Sequence, residues 1–216
     1  MYSATIKSVK KKAMACKRPY TLGRRQDLSN QKRANILARA RVQLESNGYL
    51  GFTLDGLARE SGVTRQTIHN LFGTKAGVLE ALFDQLAIDG GMERMRSVMQ
   101  QREPEAMLTS FVEVFSGFWM KDRMLIRRIH GIAAVDPEFG VAIEARNQRR
   151  RGAAVRVIDV IDRSTRNAED KAQRSTILYA LTSFEFFDTL ADSCGSEGVA
   201  VRLLLALVKQ TLSSDL

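Results

Sequence analysis

Cysteine is nearly absent from this chain, with 2 in 216 residues. Cys16 and Cys194 lie far apart and show no ligand spacing with either histidine, His69 or His130. That argues against a disulfide framework and against a zinc site. Proline is also scarce, at 3 residues, which suits a mostly helical chain because proline breaks helix interiors. No apolar run approaches the roughly 18 residues that span a bilayer. The longest candidate, Leu203 to Val208, is six residues long. The N-terminus is basic but lacks the apolar region of a signal peptide, so a reducing cytoplasm is the expected compartment. No nucleophile–base pair, phosphate loop or metal set is visible; no enzyme activity, cofactor or metal is expected.

What the chain does have is one-sided charge. Hydrophobic residues make up 44% and charged residues 26%, enough for one or two real cores. The net charge is +9. Residues 1–80 carry 15 Lys and Arg against 5 Asp and Glu, whereas residues 81–216 carry 18 against 19. The whole positive excess sits in the N-terminal part, which suggests a surface that meets a polyanion. Binding of that kind releases counterions and is sensitive to salt. Residues 1–29 form a basic arm with Lys7, Lys10, Lys11, Lys12, Lys17, Arg18, Arg24 and Arg25 opposed only by Asp27. Such an arm is expected to be disordered alone and is able to order in a DNA groove.

Beyond the arm the periodicity is helical. Ile36, Leu37, Ala40 and Leu44 form one apolar stripe on a helix from about 30 to 47, ended by Gly48. Thr53 can cap a helix over 54–60, Thr64 one over 65–72, and Thr74 one that begins at Lys75. Further helices are predicted over about 104–120, 122–135, 136–163, 167–194 and 197–212. Asp136-Pro137-Glu138 and Asn167 act as start signals, and Gly195 as a stop. No alternating stretch points to a strand. The expected fold is all-α with about nine helices. It divides into the arm (1–29), a DNA-binding domain (30–90) and a C-terminal helical domain (91–216).

Residues 53–72 have the physical pattern of a helix-turn-helix. Ala58 allows close crossing, Gly62 tolerates positive φ in the turn, and Ile68 closes the small core with Leu54, Leu57, Val63 and Leu71. The other face of the third helix is polar. Arg suits guanine, Gln and Asn suit adenine, and Thr suits the thymine methyl, so Arg65, Gln66, Thr67 and Asn70 are assigned to base edges. His69 and Asn70 are each able to read a base or hold a phosphate; His69 is assigned to phosphate. Thr53, Thr64 and Thr74 stand at helix starts, where free N–H groups attract anions, and are candidate phosphate contacts as well as caps.

The stretch from Arg33 to Leu82 resembles the tetracycline-repressor (TetR) family of bacterial regulators. The resemblance is carried by Arg33, Ile36-Leu37, Ala40, Leu44, Gly48-Tyr49, Phe52-Thr53, Leu57-Ala58, Ser61-Gly62-Val63-Thr64, Thr67-Ile68, Phe72, Thr74-Lys75 and Leu79. It implies that Lys75 faces a phosphate, and that His69 replaces the family's phosphate-contacting tyrosine. It also implies a homodimer on a palindromic DNA operator. The last two helices of each subunit would form the interface, here through Phe184, Phe187, Leu203 and Leu207. A small apolar effector would bind between C-terminal helices, with Met99, Phe111, Phe115, Phe118, Trp119, Met124 and His130 as candidate lining. For each of these residues plain packing is the rival reading, and His130 reads rather as a core or surface histidine. The run Gln148-Arg149-Arg150-Arg151 reads as a solvated face. The expected function is a repressor released from its operator by the effector. The alternative is a DNA-bound adaptor whose C-terminal domain binds a protein, which a packed core without a cavity would favour.

Overall fold

The computed structural model describes residues 20–162 and 167–213, and these are helical throughout apart from turns. The helices are α1 (Tyr20–Gly51), α2 (Leu54–Ser61), α3 (Arg65–Phe72), α4 (Lys75–Asp89), α5 (Met95–Val98), α6 (Pro104–Lys121), α7 (Arg123–Ala133), α8 (Pro137–Ile161), α9 (Ala168–Leu181), α10 (Phe184–Cys194) and α11 (Glu197–Ser213). A 3₁₀ turn, Met92–Arg94, precedes α5.

Among the described residues eleven helices replace the expected nine, for two local reasons. Gly90-Gly91 ends α4, and the chain turns through Met92–Arg94 into the short α5. The predicted helix over 167–194 is two helices, because Ser183 adopts an extended backbone and its hydroxyl accepts from the Phe186 N–H. The Thr182 hydroxyl donates to the Leu178 carbonyl and closes α9. Helix α1 begins at Tyr20, ten residues before the expected boundary at Asn30. Of the predicted basic arm, residues 1–19 lie outside the described residues.

The predicted caps form. The hydroxyls of Thr53, Thr64 and Thr74 accept from the N–H groups of Gly56, Thr67 and Gly77, each at 3.1 Å. Asp136 accepts from Phe139 N–H at 3.1 Å, and Asn167 from Glu169 N–H at 3.0 Å. Each such cap contributes on the order of 1 kcal/mol. Gly48 interrupts α1 with φ 63° and ψ −168°. Gly62 takes φ 66° and ψ 31°, the left-handed conformation that lets α2 turn directly toward α3.

A small core holds α1 to α4 together: Ile36, Ala40 and Leu44 from α1, then Phe52, Leu57, Ile68 and Leu79, all without solvent exposure or nearly so. Full burial of each such side chain contributes roughly 1.5–3 kcal/mol before chain entropy is counted. The C-terminal helices enclose a second apolar region around Phe111, Ile126, Ile129, Phe139, Val157 and Phe187. The two regions are continuous through α4, which packs on α1 on one side and on α6 and α8 on the other.

Candidate nucleic-acid interface and cavity

Helix α3 presents the predicted residues to solvent. Arg65, Gln66, His69 and Asn70 are exposed and Thr67 is half-buried, while Ile68 points into the core. Gln66 Nε2 donates to Asn70 Oδ1 at 2.8 Å, the i,i+4 neighbour on the same face. Arg65 Nη1 lies 3.1 Å from Asp55 Oδ2. Both side chains of that pair are exposed, so it contributes at most about 1 kcal/mol and leaves Arg65 free to exchange partners. The hydroxyls of Thr64 and Thr67 lie 2.9 Å apart. His69 Nδ1 lies 2.7 Å from the Gly73 carbonyl, which fixes its ring against the end of α3.

The start of α4 differs from expectation in detail. The Lys75 ammonium is turned inward. It donates to the Tyr49 carbonyl at 3.3 Å and stands 3.7 Å from the centre of the Tyr49 ring. Burial lowers its pKa below the ordinary lysine value, against the opposing effect of Asp136. The Thr74 hydroxyl donates to Glu138 Oε1 at 2.8 Å.

Glu138 belongs to the first turn of α8, and so the head of α4 is fastened to α8. The Tyr49 hydroxyl donates to Asp136, the cap of α8. That bond, with burial adding to it, pushes the Tyr49 pKa up to about 12. It also holds Asp136 below the usual carboxylate range, with help from the Phe139 N–H. A second fastening joins α1 to α7. Arg41 pairs with Asp122, and Arg128 donates to the carbonyls of Leu44 and Glu45 at the end of the regular part of α1.

A cavity of about 320 Å³ lies between α4, α6 and α8, within the range of small-molecule sites. Four of the seven candidates, Phe115, Phe118, Trp119 and His130, line it. The other three lie elsewhere. Phe111 is core, edge-on to Phe115 with ring centres 5.0 Å apart. Met99 is half-buried against the core, and Met124 is 58% exposed. Sequence reasoning missed the opposite wall: Phe83, Asp84 and Ala87 of α4, and Ile143, Arg146 and Arg150 of α8. Arg150 is 7% exposed, so the arginine run is not a uniformly solvated face. A signal for this existed. Phe139, Ile143, Arg150, Ala154 and Val157 share one helical face, and Arg150 sits on it.

The dimer candidates also separate. Phe184 and Phe187 are 3% and 0% exposed within the protomer's own core, so they cannot form a surface. Phe184 packs against Trp119, ring centres 5.6 Å apart, and against His130 at 4.7 Å. Leu203 and Leu207 of α11 are 48% and 38% exposed. Among the described residues, no group of three or more His, Cys, Asp or Glu side chains is placed to hold a metal ion. No described helix is long and apolar enough to cross a membrane.

Residues 36–82, from the middle of α1 to the middle of α4, match the family model of the bacterial regulatory proteins of the tetR family. No curated protein matches the chain. Solved structures do. A TetR transcription regulator from Haloarcula marismortui is 17% identical, with 84% of this chain and 96% of that one covered at a TM-score of 0.65. A TetR-like transcriptional regulator from Rhodococcus sp. RHA1 is 16% identical, covering 85% and 97% at 0.60. A TetR/AcrR-family transcriptional regulator from Thermobifida fusca is 18% identical, covering 82% and 97% at 0.58. At these identities the structures establish the fold. The chain thus carries a match to the tetR-family model at residues 36–82 and shares the all-α fold of these structures over its described length.

Proposed function

We propose that this protein is a homodimeric repressor, released from a palindromic DNA operator by a small molecule bound in the cavity between α4, α6 and α8. The observation that carries the reading is a shared helix. Helix α4 begins with Thr74 and Lys75 beside the recognition helix and supplies Phe83, Asp84 and Ala87 to the cavity wall. Lys75 and Ala87 are about 18 Å apart along it, at about 1.5 Å per residue. Helix α8 repeats the arrangement: Asp136 and Glu138 grip Tyr49 and Thr74 at one end, and Ile143, Arg146 and Arg150 reach the cavity further along. A ligand that spreads α4 from α8 therefore acts on the helices that seat α3. Its leverage is limited to its difference in affinity between the two arrangements.

Arg65, Gln66, Thr67 and Asn70 are the proposed base readers. Thr53, Thr64, His69 and the main chain at Thr74 and Lys75 are the proposed phosphate contacts. The proposed partner surface for a second copy is α11, where Leu203 and Leu207 are exposed, with half-buried Phe186 and Leu190 of α10 beside it. A cavity of this size supports a small-molecule effector over a protein-binding adaptor.

Selection of bound sequences from random DNA tests the proposal. An inverted repeat with half-sites about one helical turn or more apart is the expected result. Recovery of a single unrepeated half-site would remove the homodimer, and the absence of enrichment would remove specific DNA reading.

A further inference from the structure

The cavity wall holds a buried cation with no carboxylate at salt-bridge distance among the described residues. Arg150 projects from α8 and is almost fully buried. Its Nη1 donates to the Tyr179 carbonyl and, at 3.4 Å, to the Thr182 hydroxyl. Its guanidinium lies 3.9 Å from the centre of the Tyr179 ring. These partners are neutral. No carboxylate lies within salt-bridge distance of it among the described residues, and its Nε–H is buried without a partner. Both are costly in a protein interior, where a buried charge is ordinarily paired and a buried donor ordinarily used.

Glu185, whose charge acts on Arg150 from beyond salt-bridge distance, is engaged by His130 Nδ1, and the charged groups of the cavity lining do not supply a paired anion. Asp84 is taken by Arg146, at 2.6 Å, and Arg149 adds a further positive charge at the exposed edge. The lining therefore contains three arginines and one carboxylate, amid the rings of Phe83, Phe115, Phe118 and Trp119. A second unpartnered polar atom is His130 Nε2. The ring's Nδ1 lies 2.7 Å from Glu185 Oε1, which leaves Nε2 as an acceptor while the ring is neutral.

We infer that the effector is a small organic acid: an apolar or aromatic body between the phenylalanines and Trp119, with its carboxylate on Arg150. The inference rests on the cavity being the effector site. A planar carboxylate suits the Nε–H edge of a guanidinium. A neutral ligand could accept a hydrogen bond but would leave the charge unbalanced, and a cation would meet a positive wall. A dianionic phosphate brings a second charge that Arg150 alone does not balance, and Arg150 Nη1 is already bonded to Tyr179 and Thr182.

Trp119 is the chain's one tryptophan and lines the cavity, so its fluorescence reports occupancy directly. The full-length protein is titrated with decanoate and with 4-phenylbutyrate, each against its primary amide, at pH 7.5. At least one acid is expected to bind ten-fold or more tightly than its amide. Arg150→Gln should reduce that ratio to below about three-fold, and Arg150→Lys should keep part of it. If Arg150→Gln does not fold, by its circular dichroism melting curve, the wild-type acid-to-amide ratio decides alone. Equal binding of acid and amide would overturn the acid assignment and leave the effector cavity standing. Failure of all four compounds to perturb Trp119 would overturn the acid assignment and count against the cavity as an effector site.

Discussion

The N-terminal helices α1–α4 and the C-terminal helices place the groups proposed for function differently, outward in the first and inward in the second. In the first, Arg65, Gln66, Thr67 and Asn70 stand outward on a helix whose inner side rests on a filled core, with Phe52, Leu57 and Ile68 unexposed. In the second, the distinctive polar groups, Arg150 and His130, face inward beside an unfilled space. A reading surface needs a rigid base, because a small displacement of a recognition helix moves every donor away from its base edge. A receptor needs spare volume, and obtains it by leaving polar atoms and ring faces without partners. The lost contacts are restored when a ligand enters.

That contrast predicts unequal responses to truncation. Leu57→Ala should destabilise the protein by about 2–5 kcal/mol in urea unfolding, because nothing is free to collapse into the gap. A loss below about 1 kcal/mol would mean that this core is not filled. On the outer face, Arg65→Ala should leave stability nearly unchanged and weaken binding to the selected DNA site by about 1–3 kcal/mol, with relaxed sequence preference. An equal loss on random DNA would reassign Arg65 to phosphate.

Between the two domains, Tyr49→Phe removes the bond to Asp136 and should cost on the order of 1 kcal/mol. Its pH dependence sharpens the point. The Tyr49 hydroxyl, then the Phe139 N–H, hold Asp136 below its ordinary pKa in the fold. Its contribution is therefore complete above the unfolded value of about 3.9 and is lost as pH falls through the lower folded value. The melting difference between wild type and Tyr49→Phe should be constant from pH 7 to 5 and shrink toward pH 3. A difference that does not shrink would show that Asp136 is not the partner that matters. The smallest effect belongs to the cavity. Ala153→Leu projects into existing space, so it should be neutral or stabilising by about 0.5–1 kcal/mol while blocking ligand. Destabilisation beyond about 1 kcal/mol would argue that the space closes in solution.

The DNA-binding domain was legible because its signals are local. A cap, a glycine with positive φ and an apolar residue at a fixed interval each act within one or two helical turns, and Thr53, Gly62, Thr64, Ile68 and Thr74 all stand where their chemistry placed them. The cavity was half legible. Phe115, Phe118 and Trp119 on α6 face it, but Phe111 on the same helix and the equally apolar Met124 on α7 lie elsewhere. Phe184 and Phe187 fell on the inside of α10, because a strongly apolar helix gives no sign of whether its partner is its own chain or another.

By itself, then, the sequence determined the helical class, the caps, the helix-turn-helix and the excess of positive charge at the N-terminal end. Each of these follows from backbone preference, periodicity or composition over a short span. Only the tertiary structure decided that Arg150 is buried without a salt-bridge partner among the described residues, that Lys75 turns inward onto Tyr49, and that the head of α8 grips the N-terminal helices through Tyr49 and Thr74. Those facts depend on which distant helices meet. A charged side chain's partner, unlike a helix cap, is not encoded within a turn of its own position.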